Sequence, residues 1–152
     1  MADAEGGAAA EEVVHRLLAI HRYLRQYSKR INNELGMSGR QLAVLRRLHE
    51  AGPLSVGEIS AYLYVADSTT SELLASLEAA GLITRSRSGD DNRVAVVALT
   101  PAGQALVVRA PLGGIALLRQ RLRSQPPDEI VALAQALAHL ARLMDIDARE
   151  PR

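Results

Sequence analysis

A chain of 152 residues that is 48% hydrophobic and 23% charged has room for one domain plus a short oligomerisation element, and is too apolar to be disordered throughout. The absence of cysteine excludes disulfides and zinc–thiolate sites, and no uncharged apolar run approaches the roughly 18 residues of a membrane span. A net charge of +1 by itself selects no partner, while the acidic start (Asp3, Glu5) lacks the basic segment of a signal peptide, so a cytoplasmic protein with no membrane partner is expected.

Residues 1–10, rich in Ala, Gly and acid, are expected to form a disordered tail. Over 11–36 the apolar residues Leu17, Ile20, Leu24, Tyr27, Ile31 and Leu35 recur every three or four positions, which is one stripe of a long helix. Gly36 is free to take the left-handed conformation that closes it. Between positions 15 and 47, eight Lys and Arg side chains stand against Glu34 alone. This excess either flanks DNA, meets the acidic tail of a partner chain, or is plainly solvated.

Ser38 and Gln41 are spaced as a capping box, in which hydroxyl and amide satisfy each other's free N–H groups. The helix they open packs Leu42, Leu45 and Leu48 and stops at Gly52 and Pro53, leaving Arg46 and Arg47 as a solvated face. Ser55 and Glu58 repeat the box before a short helix with Ile59 and Leu63 inward. After a break at 64–66, Asp67 is placed to cap a third helix, with Leu73, Leu74 and Leu77 on one face and Gly81 at its end. Two short helices around a tight turn read as helix-turn-helix.

Two extended runs follow, 82–88 and 94–99, separated by the turn formers of 89–93; a β-hairpin directly after a helix-turn-helix is a winged helix. Thr100 and Pro101 start the next helix, which Pro111, Gly113 and Gly114 interrupt or kink before it resumes at Ile115. Pro126 and Pro127 open a last helix with Ile130, Leu133, Leu137, Leu140 and Met144 on one side. Terminal amphipathic helices outside a winged domain need a second surface to cover them. The expected class is mainly α with a small β-hairpin: a disordered tail (1–10), an N-terminal dimerisation helix (11–36), a winged helix-turn-helix lobe (37–99) and C-terminal dimerisation helices (100–146).

Across about residues 11–146 this order resembles the MarR family of bacterial transcription regulators. The resemblance rests on Asp91, Asn92 and Arg93, then the apolar run to Leu99, then Thr100, Pro101, Ala102 and Gly103, which look like the family's wing signature. Residues 77–83, Leu-Glu-Ala-Ala-Gly-Leu-Ile, look like its end of the recognition helix. The resemblance implies a homodimer that binds a pseudo-palindromic duplex operator, most often as a repressor, and loses affinity when a small aromatic or lipophilic effector binds near the hinge between lobes. It also implies a pocket there, for which His21, Tyr23, Tyr27 and His49 are the candidate ligand-binding residues. Two departures from the family pattern stand out: Tyr64 occupies the turn where Gly is usual, and Glu72 stands where a basic residue is common.

The recognition helix would lie in the major groove, with Ser68, Thr69 and Ser71 bonding phosphates or base edges and Glu72 able to accept from a cytosine N4–H. Arg93 at the wing tip suits a narrow minor groove, and Asp91 would fix that side chain or its turn. Arg85 and Arg87, two apart on a strand, share a face and reach toward phosphates; Arg40 begins a helix whose N-terminal N–H groups also favour phosphate. Yet residues 37–99 carry six arginines against seven carboxylates, so phosphate neutralisation is weak. A second reading therefore stands open: a winged-helix protein that binds a protein partner or a small molecule, its DNA binding weak or lost. No phosphate loop, nucleophile elbow or metal-ligand spacing among His15, His21, His49 and His139 points to an enzyme, a metal or a cofactor.

Overall fold

The computed structural model describes residues 2–87 and 94–146, with side chains from residue 5 onward. The expected wing tip, including Asp91 and Arg93, lies outside the described residues. Helix α1 (Ala2–Leu35) is longer than expected, because the segment read as a tail continues it. Ala and Glu are strong helix formers, and residues 5–16 gain their helical form with every side chain exposed. Burial along the apolar stripe deepens toward its end: Ile31 is fully buried, Leu17, Leu24, Tyr27 and Leu35 are half-buried, and Ile20 stays exposed. Gly36 closes the helix at φ 65°.

Both capping boxes form. In α2 (Gly39–Ala51) Ser38 Oγ accepts from the Gln41 amide at 3.1 Å while Gln41 Oε1 accepts from the Ser38 amide at 2.7 Å. In α3 (Val56–Leu63) Ser55 and Glu58 do the same at 3.2 and 2.7 Å. Helix α4 (Asp67–Ala79) begins differently from expectation: its cap is Ala66, with no side-chain bond, and Asp67 is the first helical residue. The carboxylate sits instead in the first turn, where the helix dipole favours negative charge. Tyr64, between α3 and α4, takes the left-handed conformation at φ 55° and ψ 46°. After α4 the Leu82 amide bonds back to the Leu77 carbonyl at 3.0 Å, which turns the chain into the sheet.

Among the described residues the sheet has three strands, one more than the hairpin: β1 (Leu54–Ser55), β2 (Ile83–Arg87) and β3 (Ala95–Leu99), in the antiparallel order β1-β3-β2. Leu54 pairs with Val97 and Ile83 with Leu99, which aims Val97 and Ile83 into a core of Leu42, Val44, Leu45, Leu48, Ile59, Leu74 and Leu77. A two-residue strand between two helices carries no periodicity of its own, so the sequence hides it.

Thr100 caps α5 (Pro101–Arg109) by accepting from the Gly103 amide at 3.1 Å. The chain breaks at 110–113 and turns by 77° into α6 (Gly114–Leu122), so the expected interruption yields two helices. Helix α7 (Pro127–Leu143) follows and buries no residue at all. No single helix among the described residues is long and apolar enough to cross a membrane.

Candidate functional site

Helix α4 turns Thr70, Leu74 and Leu77 into the core and leaves Ser68, Ser71, Glu72 and Ala75 exposed; Thr69 is half-buried. Its seat is fixed by two polar contacts as well as by packing. The buried hydroxyls of Ser60 on α3 and Thr70 hydrogen-bond at 2.8 Å, and Gln41 Nε2 on α2 donates to Ser76 Oγ at 2.9 Å. The capping glutamine thus serves two helices at once.

The basic candidates separate in the structure. Arg40, in the first turn of α2, and Arg87, at the end of β2, are exposed. Arg85 is turned onto α4: its Nε lies 3.3 Å from Glu78 Oε2 and its Nη2 donates to the Ser71 carbonyl at 3.3 Å. Only 25% of that side chain is exposed, so it braces the strand against α4 rather than standing clear of the sheet. Ser68, Ser71 and Glu72 on α4 share one exposed side of the lobe with no Lys or Arg on that helix.

A cleft of about 870 Å³ opens between α1, α2, the end of α3 and α6, a size suited to a small organic ligand. Leu24, Leu42, Leu63 and Leu112 supply apolar wall, and Arg40, Arg46, Arg119 and Arg123 stand round it with Glu50 as the single carboxylate. Arg46 Nη2 donates to the Pro111 carbonyl at 2.7 Å and Nη1 to the Tyr27 hydroxyl at 3.2 Å, while that hydroxyl donates to the same carbonyl at 2.8 Å. The carbonyl freed by the break in the helix is thereby satisfied from α1 and α2 together. The Tyr27 ring lies so close to Gly113 and Gly114 that a side-chain carbon at either would collide with it.

Of the four expected ligand-binding residues only Tyr27 lines this cleft. Tyr23 accepts from the Gly114 amide at 2.9 Å and caps α6. His21 sits in a shallow groove along α1 with Arg22, Arg25 and Lys29, and His49 Nδ1 meets Gln104 Oε1 at 3.0 Å. Arg46 and Arg47, read as a solvated face, are half-buried. Two guanidinium groups lie over the Tyr62 ring, with Arg47 5.0 Å and Arg119 3.8 Å from its centroid, and Arg119 Nη2 donates to the Tyr62 carbonyl at 3.4 Å. Arg119 and Tyr62 are 57 positions apart, so no local pattern announces the contact.

A family model described as MarR family matches residues 37–95, which run from just before α2 through the helix-turn-helix and β2. Two relatives come from Bacillus subtilis (strain 168). The uncharacterized HTH-type transcriptional regulator YfiV is 32% identical over 117 residues, covering 77% of this chain and 73% of its own. The uncharacterized HTH-type transcriptional regulator YsmB is 27% identical over 137 residues, covering 90% and 92%. Among solved structures, Streptococcus pneumoniae FabT in complex with DNA superposes with a TM-score of 0.63 at 20% identity, covering 90% of this chain and 97% of that one. With the fold, the exposed helix α4 and these matches in agreement, the chain belongs to the MarR family of transcription regulators.

Proposed function

We propose that this regulator is a repressor that binds a pseudo-palindromic duplex operator as a homodimer in the cytoplasm, and that a small aromatic or lipophilic effector releases it. It is a binding protein, with no enzymatic activity assigned. The observation that carries the reading is helix α4 itself: its apolar side is locked to the core while Ser68, Ser71 and Glu72 face outward beside a winged sheet. That is the presentation by which a recognition helix enters a major groove, with Arg40, Arg87 and Arg93 as flanking phosphate or minor-groove contacts and Asp91 supporting the wing. FabT, similar in fold, is a protein solved on DNA. The cleft beneath the break between α5 and α6 is the effector site in this reading, because a ligand there displaces contacts that hold α1, α2 and α6 together.

Binding of genomic fragments at low and moderate salt tests the proposal. The dimer protects a short palindrome with half-sites one helical turn apart, roughly 34 Å. Arg87→Ala and Arg93→Ala weaken binding across all sequences and each flattens the salt slope by about one unit. The recognition helix without a cation favours a second reading, a protein- or small-molecule-binding module with weak or lost DNA binding, and retention of no fragment at low salt selects it.

A further inference from the structure

The outward side of α4 is built from small residues except at one position. Ser68, Ser71, Ala75, Ser76 and Ala79 are all exposed and short, and Glu72 rises among them as the one long side chain at the middle of that side. Residues three and four positions away, Ser68, Thr69, Ala75 and Ser76, offer it no cation, and no ion pair involves it among the described residues. The other two acids of the helix are differently placed. Glu78 is taken up by Arg85 at 3.3 Å, and Asp67 lies in the first turn, where the helix dipole favours it.

Small neighbours let a helix sit deep in a groove about 8.5 Å deep, and the side chain that then reaches farthest along the base edges is a pure acceptor. A carboxylate among phosphates is unfavourable unless it meets a donor. In the major groove guanine presents only acceptors, thymine an acceptor and a methyl, and adenine its N6 donor with the N7 acceptor beside it, whereas cytosine presents an N4 amino donor with no acceptor beside it. Resting on the operator reading above, we propose that Glu72 is the specificity-determining residue of this regulator, accepting from the N4 amino group of one cytosine in each half-site. Its selectivity comes from rejecting guanine and thymine, which leave the carboxylate facing acceptors, and from disfavouring adenine, whose N7 acceptor faces the second carboxylate oxygen, and is obtained at the expense of overall affinity.

The test uses the full-length protein and a pool of random duplexes, selected at low salt, then single-base variants of the enriched site. Wild type should enrich one symmetric cytosine per half-site and lose roughly ten-fold or more in affinity when that base is changed. Glu72→Ala should bind the same site and its variants at that position within about two-fold, with affinity for the pool as a whole equal to or above wild type. Glu72→Gln, which keeps shape and adds a donor, should shift the preference toward adenine. Unchanged discrimination at every position in Glu72→Ala, or a wild-type preference there for any base but cytosine, overturns the proposal while leaving the operator reading standing. Failure of wild type to enrich any duplex overturns the operator reading, and this proposal with it.

Discussion

At the scale of single residues, Tyr64 is the plainest departure from backbone preference. Its left-handed conformation brings Cβ against the following carbonyl, at a cost of about 1 kcal/mol for a residue other than Gly or Asn. The ring gives little back, being 76% exposed. The extra freedom glycine gives the unfolded chain offsets about 0.4–1 kcal/mol of that strain, so Tyr64→Gly should raise stability by no more than about 0.5 kcal/mol, as read from urea unfolding midpoints. A drop in stability would show that the ring's contacts at the mouth of the cleft outweigh the backbone strain. The sequence marks this position because a bulky residue falls where a turn calls for Gly. It does not mark Arg85, whose partners Ser71 and Glu78 lie in another element, and an arginine two positions from Arg87 reads as its twin until the fold draws one of them inward.

At the scale of elements, the capping boxes are the most local features and the most legible ones. Three residues of spacing contain the whole interaction, so Ser38 with Gln41 and Ser55 with Glu58 form as read. Accepting from the Ser55 backbone and hydroxyl holds the Glu58 carboxyl below its ordinary value of 4.5. The sign follows directly: the contribution to stability is fully present above pH 4.5 and is lost as pH falls through the lowered folded value. Thermal melts should show wild type above Glu58→Ala at neutral pH, with the gap closing on acidification below pH 4.5. A gap that stays constant down to low pH would remove the carboxylate from the cap. Asp67 and strand β1 mark where local reading stops. The start of α4 is set by the turn at Tyr64 rather than by the nearest capping side chain, and Leu54 and Ser55 are a strand only because β3 lies beside them.

At the scale of the whole molecule, the terminal helices divide the chain into a packed lobe and an unpartnered frame. Leu133 and Leu137 on α7, Met144 just past its end, and Val13 and Ile20 on α1 are exposed large apolar side chains that a partner surface would cover. If the homodimer of the proposed function is built on them, Leu133→Asp with Leu137→Asp should convert it to a monomer by sedimentation velocity. The lobe, which shares no core residue with α7, should keep its thermal transition. Operator affinity should fall by two orders of magnitude or more, since one half-site then carries the binding alone. A double variant that still sediments as a dimer would place the interface elsewhere.

By itself the sequence determined most of the helices, the two capping boxes, the wing strands and the family likeness, because each is written in spacings of two to four residues that backbone geometry alone interprets. The tertiary structure decided which side chains the site keeps. It drew Arg46, Tyr27 and the Pro111 carbonyl into one cluster, set Arg47 and Arg119 over the Tyr62 ring, withdrew Arg85 onto α4 and left Glu72 exposed. Those contacts join residues up to 84 positions apart. Their geometry depends on how α1, α2 and α6 pack, and no periodicity within any one helix carries that information.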